Sequence, residues 1–196
     1  IKGAGIQVHD IRSLWGFLLS SAVSEYSATI NSLNLGFIPV PEIGLNEPPP
    51  VRGRENQGYA TAKTVVPAVL MDTFVTCGFV SSTNGVPTKI MVDTLSAATG
   101  VDYNMEDFSK AMFRIVNLAR AFNIRHGLTP EDDIPSERLL SAPVDGPAKG
   151  SSAKPYIKGM VQDYYREMGW DEKTSKPLRR TLKDLELEFV IPDLWE

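Results

Sequence analysis

The stretch "NMEDFSKAMFRIVNLARAFNIRHG", residues 104–127, decides the fold class. Met105, Phe108, Met112, Ile115, Ala119 and Phe122 recur at alternating spacings of three and four, which places them on one apolar face of a long helix. Asp102 or Asn104 suits the N-cap, and Glu106 and Asp107 suit the positive end of the helix dipole. Gly127, after Arg125 and His126, suits the left-handed position that closes a helix.

Outward from this segment, further helices are expected at about Gly16–Ala28, Gln57–Val75, Thr88–Ala98, Pro155–Met168 and Lys176–Leu185. The Gln57–Val75 segment is expected to kink or restart at Pro67, because proline lacks an amide donor and clashes with the preceding turn. Thr174 or Ser175 is the expected cap of the last helix. Alternating strand patterns are scarce. The segments "PVPEIGLNEPPPVRGREN" and "SAPVDGPAKGSSAKP" are rich in Pro, Gly and Ser and read as surface excursions. Neither is long enough to force a division, so residues 1–196 are expected to form a single all-α domain.

Composition narrows the function. The 196 residues are 42% hydrophobic and 22% charged, ordinary for a globular chain that needs no disulfide or metal staple. The net charge of −4, with no stripe of Lys or Arg, argues against nucleic acid as a partner. Apolar runs such as "VVPAVLM" fall short of the roughly 20 residues of a membrane span. One cysteine, Cys77, fits a reducing cytoplasm better than an exported disulfide scaffold. The chain opens at Ile1 without Met or a signal core and reads as a piece of a longer protein.

Common catalytic motifs are missing. Two histidines, His9 and His126, lie far apart, and neither HExxH nor CxxC occurs, which argues against a self-contained zinc site. GxGxxG, the Walker loop and G-x-S-x-G are also absent. Asp132 and Asp133 read as a solvated turn or a cap for a following helix. On the residues alone, Cys77 is either a small buried hydrophobe or one part of a site completed elsewhere.

A resemblance adds to this. "RAFNIRHGLTPEDDIPSERLL", "DGPAKG" and "DYYREMGWDEKTSKPLRRTLKDLEL" together resemble the carboxy-terminal part of the aldehyde:ferredoxin oxidoreductase family of tungsten-pterin enzymes. The matching residues are Asn123, Arg125, Gly127, Asp133, Pro135, Arg138, Tyr164, Tyr165, Gly169, Trp170 and Asp171. The opening "IKGAGIQVHDIR" is similar to the family's stretch ending in His-Asp-Pro-Arg, with Ile11 in the proline position. Structural work is expected of most of these residues. Asn123 and Arg125 suit capping of carbonyls at the helix end, and Trp170 offers a large apolar surface with one donor.

The resemblance implies a multihelical orthogonal bundle that completes a larger enzyme. It also implies a site, because "DTFVTC" is similar to the family's Asp-x-x-Gly-Leu-Cys segment. On that basis Asp72 and Thr76 would contact a tungsten (or molybdenum) bis-pterin. Cys77 would be the fourth thiolate on a [4Fe–4S] cluster, the other three coming from a C-x2-C-x3-C run in an absent domain. The implied partners are the remaining domains and a ferredoxin-like electron acceptor, and a homo-oligomer is admitted. Val75 stands in the glycine position, Thr76 in the leucine position, and Ile30 where the family usually has a histidine near the metal. Two alternatives stay open. One is a family member with another substrate, such as a thioester reductase of the aromatic-ring-reducing branch; the other is a cofactor-free binding domain.

Overall fold

The computed structural model describes residues 1–6, 10–25, 39–76 and 88–196. Among them are eight helices and no strand beyond two isolated bridges, Val40 with Leu45 and Trp170 with Pro177. The all-α expectation is met. The helices are α1 (Trp15–Val23), α2 (Gln57–Thr73), α3 (Thr88–Thr99), α4 (Met105–Arg125), α5 (Glu137–Leu140), α6 (Ile157–Glu167), α7 (Arg179–Asp184) and α8 (Ile191–Trp195).

Helix α2 organises the packing, running against α6, α4 and α1. Its contact with α6 is close because of Gly58: a Cβ there would sit 2.6 Å from the Tyr164 backbone nitrogen. Leu18, Leu19, Val65, Val69, Leu70, Met112, Val116, Met160 and Val161 fill the main core between these helices. A second cluster, of Ala121, Leu182, Leu187, Val190, Ile191 and Leu194, seats α7 and α8 against the end of α4. Burial of such side chains contributes about 25 cal/mol per Å² of apolar surface, which stabilises these short helices where their own propensity would not.

Helix α4 begins as expected. Asn104 accepts from the Asp107 amide at 2.9 Å, and Glu106 and Asp107 occupy the first turn. It ends in a Schellman motif, with Leu128 N–H donating to Asn123 C=O, Gly127 N–H to Ile124 C=O, and φ +95° at Gly127. Its buried face differs from the expected one. Phe108 and Met112 are buried, but Phe122 is 61% exposed and stacks on His126, while Asn117 and Arg120 are fully buried. The face is rotated because polar partners from elsewhere in the chain await those two residues.

Helix α2 runs unbroken through Pro67 and does not restart there. The last expected helix starts later, at Arg179, with Leu178 at the cap in place of Thr174 or Ser175. Residues 169–178 instead form a compact turn. Asp171 accepts from the amides of Lys173 and Thr174, its own amide donates to Lys176 C=O, and Leu178 N–H donates to Gly169 C=O. A Cβ on Gly169 would lie 2.4 Å from Thr181 Oγ1, and φ is +67°, so this turn requires glycine. The helix expected at Gly16–Ala28 spans Trp15–Val23 and ends there, with Ser24 leaving the helical conformation at ψ 138°; residues 26–28 lie outside the described residues. Both Pro- and Gly-rich segments lie mostly at the surface. The first is tied down by Gln57, which donates to Pro50 C=O at 2.6 Å and Gly53 C=O at 3.1 Å. No described helix is long and apolar enough to cross a membrane.

Candidate functional site

Among the described residues, two places bear on the site: the end of α2 and the buried face of α4. The first contains the residues singled out from sequence. After Thr73 the chain closes α2 with a second Schellman motif, in which Thr76 N–H donates to Met71 C=O at 3.0 Å and Val75 N–H to Asp72 C=O at 3.1 Å. The left-handed position falls on Val75, with φ +55° and a side chain 92% exposed. A β-branched residue is an outlier in that region, since its Cβ crowds the carbonyl oxygen. This motif normally recruits glycine, so the hydrogen bonds of the cap hold Val75 where its own preference would not.

Asp72 and Thr76 are brought together at this tip, both exposed. Thr76 Oγ1 donates to Met71 C=O at 3.3 Å, and among the described residues no donor reaches the Asp72 carboxylate. A charged acceptor on an exposed helix end is chemically suited to a ligand that presents paired N–H groups, such as a pterin edge. The Thr76 amide is already used in the cap, so Thr76 offers its side chain and carbonyl. Cys77 and Ile30 lie outside the described residues. No cluster of three or more His, Cys, Asp or Glu able to hold a metal occurs among the described residues.

The second place was not legible as a site. The Arg120 guanidinium is fully buried, and all of its donor groups point at acceptors. Nη2 donates to Asp133 Oδ2 at 2.6 Å and to the Tyr165 hydroxyl at 3.3 Å; Nη1 donates to Glu25 Oε1 at 3.2 Å and Asp133 Oδ1 at 3.4 Å; Nε donates to Ser175 C=O at 3.3 Å. The cation also lies 4.7 Å from the centroid of the Trp170 ring. Tyr165 in turn donates its hydroxyl hydrogen to Asp133. Lys2 adds a second cation, 2.8 Å from Asp133 Oδ1.

Burial and charge set the titration of these groups. For Asp133, burial pushes the carboxyl upward, but the charges of Arg120 and Lys2 outweigh it and hold the group below the usual range. For Glu25, burial wins, and its carboxyl titrates above the usual range despite Arg120, Lys2 and a hydrogen bond from Asn123. Burial likewise raises the hydroxyls of Tyr164 and Tyr165.

Three expectations are corrected here. Asp133 is not a solvated turn or a cap: it is fully buried beside Arg120, while Asp132 forms the capping box with Thr129. Asn123 does not cap carbonyls with its side chain, which donates to the Glu25 carbonyl and carboxylate at 2.9 and 2.8 Å. Arg125 pairs with Asp193 at 3.2 Å. Trp170 behaves as expected, buried and donating through Nε1 to Asn117 Oδ1.

The sequence model of the family described as "Aldehyde ferredoxin oxidoreductase, domains 2 & 3" matches residues 1–187. Among individual relatives, the tungsten-containing aldehyde ferredoxin oxidoreductase of Pyrococcus abyssi is 42% identical over 102 residues, 50% of this chain and 16% of that protein. The protein of the same description from Pyrococcus horikoshii is 38% identical over 110 residues, 55% of this chain and 18% of its own length. That of Pyrococcus furiosus is 40% identical over 87 residues, 43% and 14% respectively. The matches thus span less than a fifth of these relatives.

Proposed function

Because the chain belongs to the aldehyde ferredoxin oxidoreductase family, we propose that it is the helical carboxy-terminal part of an enzyme that oxidises aldehydes to carboxylic acids. In that reaction one aldehyde and one water give an acid, two protons and two electrons, and the electrons leave to a ferredoxin-like acceptor. When bound, a tungsten (or molybdenum) bis-pterin and a [4Fe–4S] cluster supply the oxidation and the relay of electrons. The chain's own contribution is to bind and orient. Asp72 would accept hydrogen bonds from the pterin N–H groups, Thr76 would contact the pterin, and Cys77 would give one thiolate where a cubane cluster takes four. The other three thiolates come from the domains that complete the enzyme. Residues 1–196 act as one helical domain within it, and the enzyme works in the cytoplasm.

The observation that carries this reading is the exposed tip of α2. There the exposed Asp72 carboxylate, which no donor reaches among the described residues, and Thr76 stand together, with Cys77 next in the chain. A second reading, a substrate other than a simple aldehyde, is favoured by Ile30 in the position of the family's usual histidine. The test is to purify the complete enzyme from its source. Stoichiometric tungsten or molybdenum, pterin and iron, with aldehyde-dependent reduction of a ferredoxin, are expected. A complete protein that carries neither metal nor pterin overturns the proposal and favours a cofactor-free binding domain.

A further inference from the structure

Of residues 72–76 at the tip of α2, three turn their side chains back onto the protein. Thr73 Oγ1 donates to Val69 C=O at 2.8 Å, Thr76 Oγ1 donates to Met71 C=O at 3.3 Å, and the Phe74 ring packs inward, its centroid 6.0 Å from that of Phe108. What faces outward is one charged acceptor, the Asp72 carboxylate, and one apolar group, the Val75 isopropyl. Val75 is out of place in two respects. Its φ of +55° is one that a β-branched residue rarely adopts, and its side chain, 92% exposed, gains almost nothing from burial in return. No other large apolar side chain among the described residues is as exposed. Strained residues of this kind persist where the surrounding structure over-determines them, and they gather at ligand clamps.

We infer that Val75 completes the pterin site: its isopropyl group covers the bound pterin beside Asp72 and keeps water from the hydrogen bonds made there. The inference rests on the proposed reading of the α2 tip. A hydrogen bond from an N–H group to a carboxylate that stays in contact with water has a small net worth, because water competes for both partners. Excluding water lowers the local dielectric and strengthens the same bond. A pterin is a flat heteroaromatic ring system, with N–H groups at its edge and less polar surface on its faces. Asp72 answers to the edge, and Val75 is the outward apolar side chain at the tip that can answer to a face. The Schellman motif serves this arrangement. Because Val75 N–H donates to Asp72 C=O and Thr76 N–H to Met71 C=O, the backbone fixes Val75 in relation to Asp72 and presents the carboxylate and the apolar group together. The strain at Val75 is then offset when a ligand buries the isopropyl group.

Pterin retention by the complete enzyme tests this without recourse to turnover. Enzyme purified with its cofactor is held in urea below its unfolding midpoint, and freed pterin is separated by gel filtration, oxidised and read by its fluorescence. Val75→Ala keeps a Cβ at the strained position and removes two methyl groups; Val75→Gly removes the whole side chain and frees the backbone. Both should release pterin about tenfold faster than the unsubstituted enzyme, the order expected from burying part of a valine side chain. Iron content should stay at the unsubstituted level. Equal release rates in all three proteins would overturn the inference. Faster release in Val75→Gly alone would overturn it too, since only backbone freedom would then matter, and so would loss of iron together with pterin, which would mean that the tip itself had loosened. Those results leave the proposed function standing. An unsubstituted complete enzyme that holds no pterin would instead overturn the proposed function, and this inference with it.

Discussion

Trp170 donates its indole N–H to Asn117 Oδ1 at 2.8 Å, joining the turn after α6 to the middle of α4. Both residues are fully buried, and Asn117 also donates through Nδ2 to Phe113 C=O. Replacing Asn117 by Leu removes the acceptor and leaves a buried N–H unpaired. Such a loss costs about 1–3 kcal/mol. Urea denaturation should show a lowered midpoint with an unchanged slope; an unchanged midpoint would mean that water reaches Trp170.

The opposed shifts of Asp133 and Glu25 predict how stability follows pH. Asp133 has a depressed folded pKa, so its contribution is complete above its unfolded value of about 3.9 and is lost as pH falls through the folded value. Glu25 has a raised folded pKa, so its ionisation weakens the fold as pH rises from its unfolded value through the folded one. Thermal unfolding against pH should therefore fall off on the acid side, and Asp133→Asn should remove much of that limb. Glu25→Gln should flatten the opposite slope. If both variants keep the wild-type profile, these carboxyls do not govern it.

Val75 offers a gain in stability. Its left-handed backbone costs roughly 1–2 kcal/mol for a residue with a Cβ, and its exposed side chain makes little packing contact to offset this. Val75→Gly should raise stability by about 1 kcal/mol, less whatever glycine's freedom adds to the unfolded chain. Denaturant titration of both forms is sufficient, and a less stable Val75→Gly would show that the valine side chain is needed.

Much of the helical architecture is visible in the amino-acid sequence, because periodicity and caps are local properties. The spacing of Phe108 and Met112, the Asn104 cap and the Gly127 stop locate α4 to within a residue or two. The buried face was misread by part of a turn for a physical reason. Arg120 and Asn117 score as solvent-facing, and only Asp133, Tyr165, Glu25 and Trp170, all far along the chain from α4 or on other elements, make their burial favourable. A row at i, i+4 through Phe108, Met112, Val116 and Arg120 was the available signal. The candidate site was legible only through resemblance. Asp72 and Thr76 carry no local pattern that separates them from an ordinary exposed helix end, and the one sign of a positive φ at Val75 is that it stands where the resembled segment has glycine.

Ile30 predicts a catalytic property of the complete enzyme. An apolar side chain in the place of a proton-transferring imidazole forgoes assistance typically worth about 10²–10⁴-fold in rate. Simple aldehydes should be turned over slowly by the metal-loaded enzyme, and Ile30→His should speed them. Efficient turnover of small aldehydes by the unsubstituted enzyme, unaffected when Asn31 is made Ala, would show that position 30 is not where the proton is handled.

Cys77 bears most directly on the proposed function. In the complete enzyme, Cys77→Ser should lower the iron content or convert the cluster, with a changed electron paramagnetic resonance spectrum, since a cubane cluster is held by four thiolates. A complete enzyme that retains a full [4Fe–4S] cluster and an unaltered spectrum after Cys77→Ser would show that Cys77 is not a ligand.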